Sequence, residues 1–346
     1  MKICVLGLGY VGLPLSISLA KNFKVTGYDY NLKKIKQIKK KKDYTGEVNK
    51  KKIGNINLYA TNQKSELKNY NIYIICVPTP ILKDKTPDLK YVKKSCILIG
   101  NSIKNSKLKP IVILESTVYP GFSEEVCVPI IEKYSNLKFN KEFYFGYSPE
   151  RINPGKSKYK LYNTTKIISA SNLSSLKKLK KIYKTVVKKV YIAPNIKIAE
   201  AAKVIENIQR DINIALMNEL SMIFNKINID TKEVLKAAST KWNFAYYEPG
   251  LVGGHCIGID PYYMAYLTKK IGIKKNYMIL SGRKTNENMK EFILENLLKL
   301  LKSKGIKFKI SKILILGYAF KENCNDVRNS KVIEIFKYLR KKVKKI

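Results

Sequence analysis

The first 29 residues constrain the fold most tightly. An apolar strand pattern, KICVLGL, breaks into a turn holding Gly7, Gly9 and Gly12 in GxGxxG spacing. A helical pattern then runs from about Val11 to Ala20, and a second apolar segment, FKVTGYD, ends on Asp29. These glycines allow a tight turn, close approach of backbone to a pyrophosphate, and close packing of helix on strand, while the helix N-terminus favours negative charge. An acid at this distance accepts hydrogen bonds from both ribose hydroxyls and repels a 2′-phosphate, so the unit points to NAD over NADP.

Strand patterns recur at NIYIICV, PIVILEST, EFYFGY, TKIISA and KKVYIA, with helical segments at Leu89 to Asn105 and SNLSSLKKLKKIYKTV. Alternating strands and helices predict an α/β fold, a Rossmann-like doubly wound parallel sheet over residues 1–195 with right-handed crossovers. From Ile196 to about Ile227 the chain has helical periodicity without Gly or Pro, which predicts a long central helix. That helix opens a helical middle domain, residues 196–305, with the Cys-bearing loop and an expected homodimer or higher homo-oligomer interface. The segment 306–346 begins a new strand at KILILGYAF. About 35 residues follow Lys312, where a doubly wound domain needs about 100, so a truncated second α/β domain is expected.

Composition removes several function classes. The 346 residues carry a formal net charge of +41, which on its own suggests a polyanionic partner. The lysines are spread through almost every segment and form no recognition stripe, so no specific nucleic acid is expected. No apolar run reaches the roughly 20 residues that span a bilayer, and the N-terminus has no signal-peptide cleavage pattern, so a cytoplasmic site away from membranes is expected. The six cysteines are scattered without a CxxC pair, and no metal site is expected. Arg occurs only at 151, 210, 283, 328 and 340. In a chain that defaults to Lys, a planar guanidinium marks places where a point charge does not serve.

Chemistry enters with the loop GLVGGHCIGIDPYY. Cys256 stands among glycines that let a ligand approach closely, and a thiol is the nucleophile needed to carry an aldehyde onward through a thiohemiacetal and thioester. Its bland alternative is a small buried Cys. The blocks MKICVLGLGYVGLPL, CVPTP followed by PDL, ESTVYPG, YSPERINPG, AEAAKVIENIQRDINIALMNEL, GLVGGHCIGIDPYY and ILGYAFKENCNDVRNSKV together resemble the UDP-glucose/GDP-mannose dehydrogenase family, in the family's order and over nearly the whole chain.

The resemblance implies a nucleotide-sugar 6-dehydrogenase that uses NAD twice to take a C6 alcohol to a uronate for surface polysaccharides. It implies that Cys256 is the nucleophile and that Asp260 orders a water or the thiolate. Lys203 and Asn207, at i and i+4 on one helix face, would stabilise the oxyanion. Glu150 would be a general base through water, and Thr117 would hold that water. Tyr10, Val11, Asp29, Lys34, Thr79, Ser116 and Arg328 would contact NAD beside the glycines. Lys34 stands where the family's Arg is expected. Glu150, Arg151, Lys203, Asn207, Gly253 and Lys321 would contact the UDP-sugar, with Arg210 and Arg283 either structural or substrate-phosphate residues.

His255 and Pro154 stand where UDP-glucose dehydrogenases tend to have Ser and a second Glu, so the resemblance is to the UDP-N-acetylhexosamine branch. His255 as a base for Cys256 is set against the tendency of adjacent loop residues to point apart. UDP-glucose 6-dehydrogenase, an NAD-binding remnant without turnover and a basic polyanion binder are the alternatives.

Overall fold

The computed structural model describes residues 1–43, 58–150, 161–273, 277–320, 322, 327 and 329–346. Arg151, Lys321 and Arg328, three of the expected contact residues, lie outside them, as does Cys324. The described chain divides into two compact units, Met1–Val204 and Ile205–Ile346.

The first unit is built on an eight-stranded sheet in the order β3-β2-β1-β4-β5-β6-β7-β8. Its strands are β1 (Lys2–Leu6), β2 (Lys24–Tyr28), β3 (Tyr59–Thr61), β4 (Ile72–Ile75), β5 (Ile111–Leu114), β6 (Tyr144–Tyr147), β7 (Lys166–Ala170) and β8 (Val190–Ile192). The helices are α1 (Gly12–Leu19), α2 (Leu32–Lys39), α3 (Lys90–Ile103), α4 (Val128–Ser135) and α5 (Leu173–Tyr183). Strands β4 and β5 are apolar at every position, IYII and IVIL, and wholly buried, as a sheet covered on both faces requires. Ile3 and Val5 of β1, Ile72 and Ile74 of β4, and Ile111 and Ile113 of β5 share a core with Leu15 and Leu19 of α1 and Leu179, Ile182 and Tyr183 of α5. Each such buried side chain is worth about 1.5–3 kcal/mol.

Local chemistry sets the helix starts. Asn31 accepts from the N–H groups of Lys33 and Lys34 at the head of α2, and Asn172 accepts from Ser175 N–H at the head of α5. Each cap is worth about 1 kcal/mol.

Two features depart from the sequence expectation. The sheet is not wholly parallel, because β7 runs antiparallel to β6, with Gly146 opposite Ala170 and Tyr147 opposite Ser169. Strand β7 therefore begins at the carboxyl edge, where β6 ends. Strand β3 and the π-helical segment Ser123–Cys127, which runs into α4, were not legible in the periodicity.

Helix α6 (Ile196–Lys226) crosses from the first unit into the second, as one uninterrupted element of 31 residues. The second unit continues with α7 (Thr231–Ala238), α8 (Asp260–Lys270), α9 (Tyr277–Ser303) and α10 (Lys331–Leu339). Asp230 caps α7 by accepting from the N–H groups of Lys232 and Glu233. The strand expected at KILILGYAF is reduced to one parallel bridge between Lys312 and Lys345. Leu314 and Leu316 are 81% and 86% exposed, so this apolar alternation has no neighbouring strand or layer among the described residues to hold it as sheet. Among the described residues no helix is long and apolar enough to cross a membrane.

Candidate functional site

In the first unit the chemistry gathers at the carboxyl edge of the sheet, where doubly wound folds bind ligands at the point where the strand order reverses. That reversal lies between β1 and β4. Gly7 leaves β1 with φ +92°, and a Cβ there would stand 2.8 Å from the carbonyl oxygen of Cys76, just past β4. A Cβ on Gly12 would stand 1.9 Å from the Gly7 carbonyl oxygen. Gly9 differs, since a Cβ there would meet nothing within 4 Å. Two glycines thus build the turn, and the third leaves open space over it.

Asp29 follows β2 and is buried. Its Oδ2 accepts from Leu8 N–H at 3.0 Å and its Oδ1 from Asn31 N–H at 2.9 Å, so the carboxylate is fixed beside the glycine turn. Lys34 Nζ lies 3.2 Å from Asp29 Oδ2, and the substituted lysine therefore neutralises the acid. This cradle fits a dinucleotide: a glycine turn at a helix N-terminus, open space at Gly9, and an oriented acid at the next strand end. Tyr10, Val11 and Thr79 are half-buried near the same edge. Ser116 Oγ donates to the Val77 carbonyl at 2.6 Å and so ties the ends of β4 and β5 together.

The two roles of glycine can be separated. Gly12→Ala is expected to destabilise the chain by about 1–3 kcal/mol through overpacking and to weaken NAD binding more than about tenfold. Gly9→Ala is expected to leave stability unchanged and weaken NAD binding alone. Thermal unfolding with isothermal titration of NAD checks both.

Beyond β5 and β6 the same edge carries Glu115, Ser116, Thr117 and Glu150. Thr117 is half-buried. Glu150 Oε2 accepts from Lys166 Nζ at 3.0 Å. Lys166 also donates to Glu115 Oε2 at 2.5 Å and to the Pro149 carbonyl at 3.2 Å. Burial pushes the Glu115 carboxyl up to about 7, against the pull of the Lys166 ammonium. Lys166 is itself raised because the two carboxylates outweigh its own burial.

The loop after Thr117 is held by Glu200 near the start of α6. Its oxygens accept from Gly121 N–H at 2.6 Å and Ser123 N–H at 2.9 Å. Burial raises Glu200 to about 7. Glu115, Lys166, Tyr183 and Glu200 were missed from sequence. An acid directly after an apolar strand end was a usable signal for Glu115, whereas Lys166 was camouflaged in a lysine-rich chain.

Lys203 is buried on α6, and Arg210, further along that helix, is exposed. In the second unit Asn207 Nδ2 donates to Asp260 Oδ2 at 2.5 Å, both residues being buried. The backbone N–H groups of Ile259 and Asp260 donate to the Cys256 carbonyl at 3.0 and 2.9 Å. The turn carrying Cys256 is thereby tied to the start of α8, and Asp260 orients the Asn207 amide. Cys256 itself is exposed.

His255 is turned to other partners. Its Nδ1 lies 3.2 Å from Asn329 Nδ2, and its ring meets Phe320 edge-on at 6.3 Å. Asn329 also accepts from Gly254 N–H. A Cβ on Gly253 would stand 2.9 Å from both the Asn329 carbonyl oxygen and Phe320 Cβ, and Gly254 adopts φ +88° against the Phe320 ring. Gly253 and Gly254 thus make room for the segment that carries Phe320 and Asn329, and His255 anchors that contact.

Arg283 is buried and paired with an acid, which supports the structural one of its two sequence readings. It is buried, its Nη1 lies 2.5 Å from Asp211 Oδ1, and its Nη2 lies 3.5 Å from Glu287. Asn286 donates to the same Asp211 oxygen at 2.8 Å and accepts from Asn218 at 2.7 Å. Asn218 in turn clasps Gly250, accepting from its N–H at 2.7 Å and donating to its carbonyl at 3.0 Å. The network therefore runs from α9 through α6 to the loop that leads into the Cys256 turn.

Comparison with known proteins agrees with this geometry. The model of the UDP-glucose/GDP-mannose dehydrogenase family NAD binding domain matches residues 1–187, that of the family's central domain 197–288, and that of its UDP binding domain 314–346. A UDP-N-acetyl-D-glucosamine 6-dehydrogenase of Salmonella typhi is 47% identical over 343 residues, 99% of this chain and 80% of that protein. Protein CapL of Staphylococcus aureus is 48% identical over 340 residues, 98% of this chain and 79% of that protein. The structure of a UDP-D-ManNAc dehydrogenase from Pyrococcus horikoshii superposes with a TM-score of 0.90 at 31% identity, covering 100% of this chain and 82% of that one. With its dinucleotide cradle, its cysteine turn and matches along nearly its whole length, the chain belongs to the UDP-glucose/GDP-mannose dehydrogenase family of NAD-dependent nucleotide-sugar dehydrogenases.

Proposed function

We propose that the chain is a UDP-N-acetylhexosamine 6-dehydrogenase, with UDP-N-acetylglucosamine as the preferred sugar. The observation that carries the chemistry is the Cys256 turn, which exposes a thiol beside a buried Asp260–Asn207 pair. Support for the sugar comes from the relative named for UDP-N-acetyl-D-glucosamine, which shares more identity than the structure named for UDP-D-ManNAc. The division 1–195, 196–305 and 306–346 follows from the same reading, supported by the three family matches. So do a cytoplasmic location and a homo-oligomer. The uronate product suits an acidic surface polysaccharide.

The roles follow from each residue's chemistry. NAD, when bound, supplies the hydride acceptor, two equivalents per sugar. Overall the alcohol, water and two NAD⁺ give a carboxylate, two NADH and three protons. Cys256 adds through its sulfur to the C6 aldehyde carbon. Lys203 and Asn207 stabilise the oxygen of that adduct by charge and by a fixed donor. Thr117 and Glu150 hold the water that cleaves the thioester, and Glu150 takes its proton. Asp260 keeps the Asn207 amide aimed. Arg151, Lys321 and Gly253 complete the sugar contacts, and Arg328 those of the cofactor.

The test mixes the purified chain with NAD and a panel of UDP-sugars and follows absorbance at the NADH band. Two NADH per UDP-N-acetylglucosamine, with slower turnover of the galactosamine and mannosamine epimers and of UDP-glucose, is the expected result. NAD binding without turnover of any sugar would overturn it.

A further inference from the structure

Lys166 is placed where only an antiparallel strand could put it. A parallel β7 would begin at the opposite edge of the sheet. Reversed against β6, it begins at the carboxyl edge, beside the residues that leave β5 and β6. All three ammonium protons of Lys166 then have acceptors: Glu115 Oε2, Glu150 Oε2 and the Pro149 carbonyl. Glu115 has a second partner in Tyr183, whose hydroxyl donates to Oε1 at 2.5 Å. The Tyr183 ring also lies 5.3 Å from the Lys166 nitrogen. Glu115 and Lys166 are almost wholly shielded from solvent, and Glu150 nearly so. Among the described residues, the buried Cys76 thiol also acts on the cluster, and Ser148 interacts with Tyr183.

We propose that Lys166 and Glu115 are positioning residues for Glu150: Lys166 fixes the direction of its carboxylate, and the protonation state of Glu115 sets how strong a base it is. This rests on Glu150 being the general base. Two carboxylates share one ammonium in apolar surroundings. When Glu115 is ionised, the Lys166 ammonium divides its charge between two carboxylates. When Glu115 is protonated, Glu150 is the one carboxylate of this pair left to face the ammonium, which holds its direction more firmly. Tyr183 tunes the balance between these two states because its hydrogen bond favours the ionised form of Glu115.

The experiment measures kcat against pH with saturating NAD and UDP-N-acetylglucosamine. Wild type is expected to lose activity below about pH 7, where Glu115 takes its proton. Glu115→Gln is expected to flatten that acid limb and lower kcat at pH 8 by roughly tenfold, with KM within about twofold, because proton affinity and base strength fall together. Tyr183→Phe is expected to move the limb upward by roughly one pH unit. Loosened packing alone would not flatten the limb in one variant and raise it in the other.

Lys166→Met strands two buried carboxylates and can fail to fold, so the milder pair carries the test. Equilibrium unfolding gives a readout independent of turnover. A carboxyl raised on folding adds stability below its unfolded pKa, and that stability is lost as pH rises through about 7. Glu115→Gln is expected to remove that share of the loss, leaving the shares due to Glu200 and Asp211. Acid limbs identical to wild type in both milder variants would overturn the proposal. Wild-type kcat in Glu150→Gln would instead remove the reading of Glu150 as base.

Discussion

Cys256→Ser is expected to lower the rate of free uronate formation by about a thousandfold and to cut the NADH released per sugar from two toward one. A thousandfold is about 4 kcal/mol of barrier. The loss follows from the chemistry of the atom. A thiol ionises readily and its adduct leaves as thiolate, whereas a serine hydroxyl ionises far less readily and its ester is cleaved more slowly than a thioester. An aldehyde formed in the first step should then accumulate and be trapped by hydroxylamine. Because Cys256 is exposed, unfolding free energy should stay within about 0.5 kcal/mol of wild type, so the loss reports chemistry. Uronate release at the wild-type rate would exclude the covalent route.

Arg283→Met is expected to destabilise the second unit by about 3–5 kcal/mol at neutral pH, a large share of what a domain has. Asp211 is fully buried and takes its charge balance from Arg283. Burial already raises the Asp211 carboxyl above its usual range, with Arg283 the largest opposing influence. Without the guanidinium it rises further. A carboxyl raised on folding loses stability as pH climbs above the unfolded carboxylate pKa, so the penalty should be greatest near neutrality and shrink toward pH 4. Adding Asp211→Asn removes the stranded charge and keeps an oxygen for Asn286, and should recover most of the loss. Urea unfolding of both variants at pH 7 and pH 5 checks this. Equal destabilisation with and without Asp211→Asn would mean that the lost packing of Arg283, rather than the charge, is what matters.

The legible parts of the fold were those whose signal is local and periodic. The run from KICVLGL to Asp29 specified strand, turn, helix and acid because backbone sterics at Gly7 and Gly12 leave few alternatives. The long helix from Ile196 was legible because no breaker interrupts it. The apolar strands β4 and β5 could be read, but the direction of β7 could not: TKIISA has the same pattern whichever way it runs. Lys166 shows the same limit at the site. Its role comes from a reversed strand that brings it to Glu115 and Glu150, residues 51 and 16 positions away. Arg283 stood out by scarcity, but its burial against Asp211, 72 positions away, could not be read from the sequence. At KILILGYAF the apolar alternation was real and the strand was not, because alternation needs a neighbour to pair with.

The bond between Gly254 N–H and the Asn329 carbonyl spans 75 positions of sequence. A chain growing from its N-terminus at about 5–20 residues per second therefore emits its nucleophile several seconds before the residues that shape the turn around it. Until then the glycines before Cys256 lack the contacts that Phe320 and Asn329 make with them. The reactive thiol is finished late in synthesis, well after the dinucleotide cradle has had time to form.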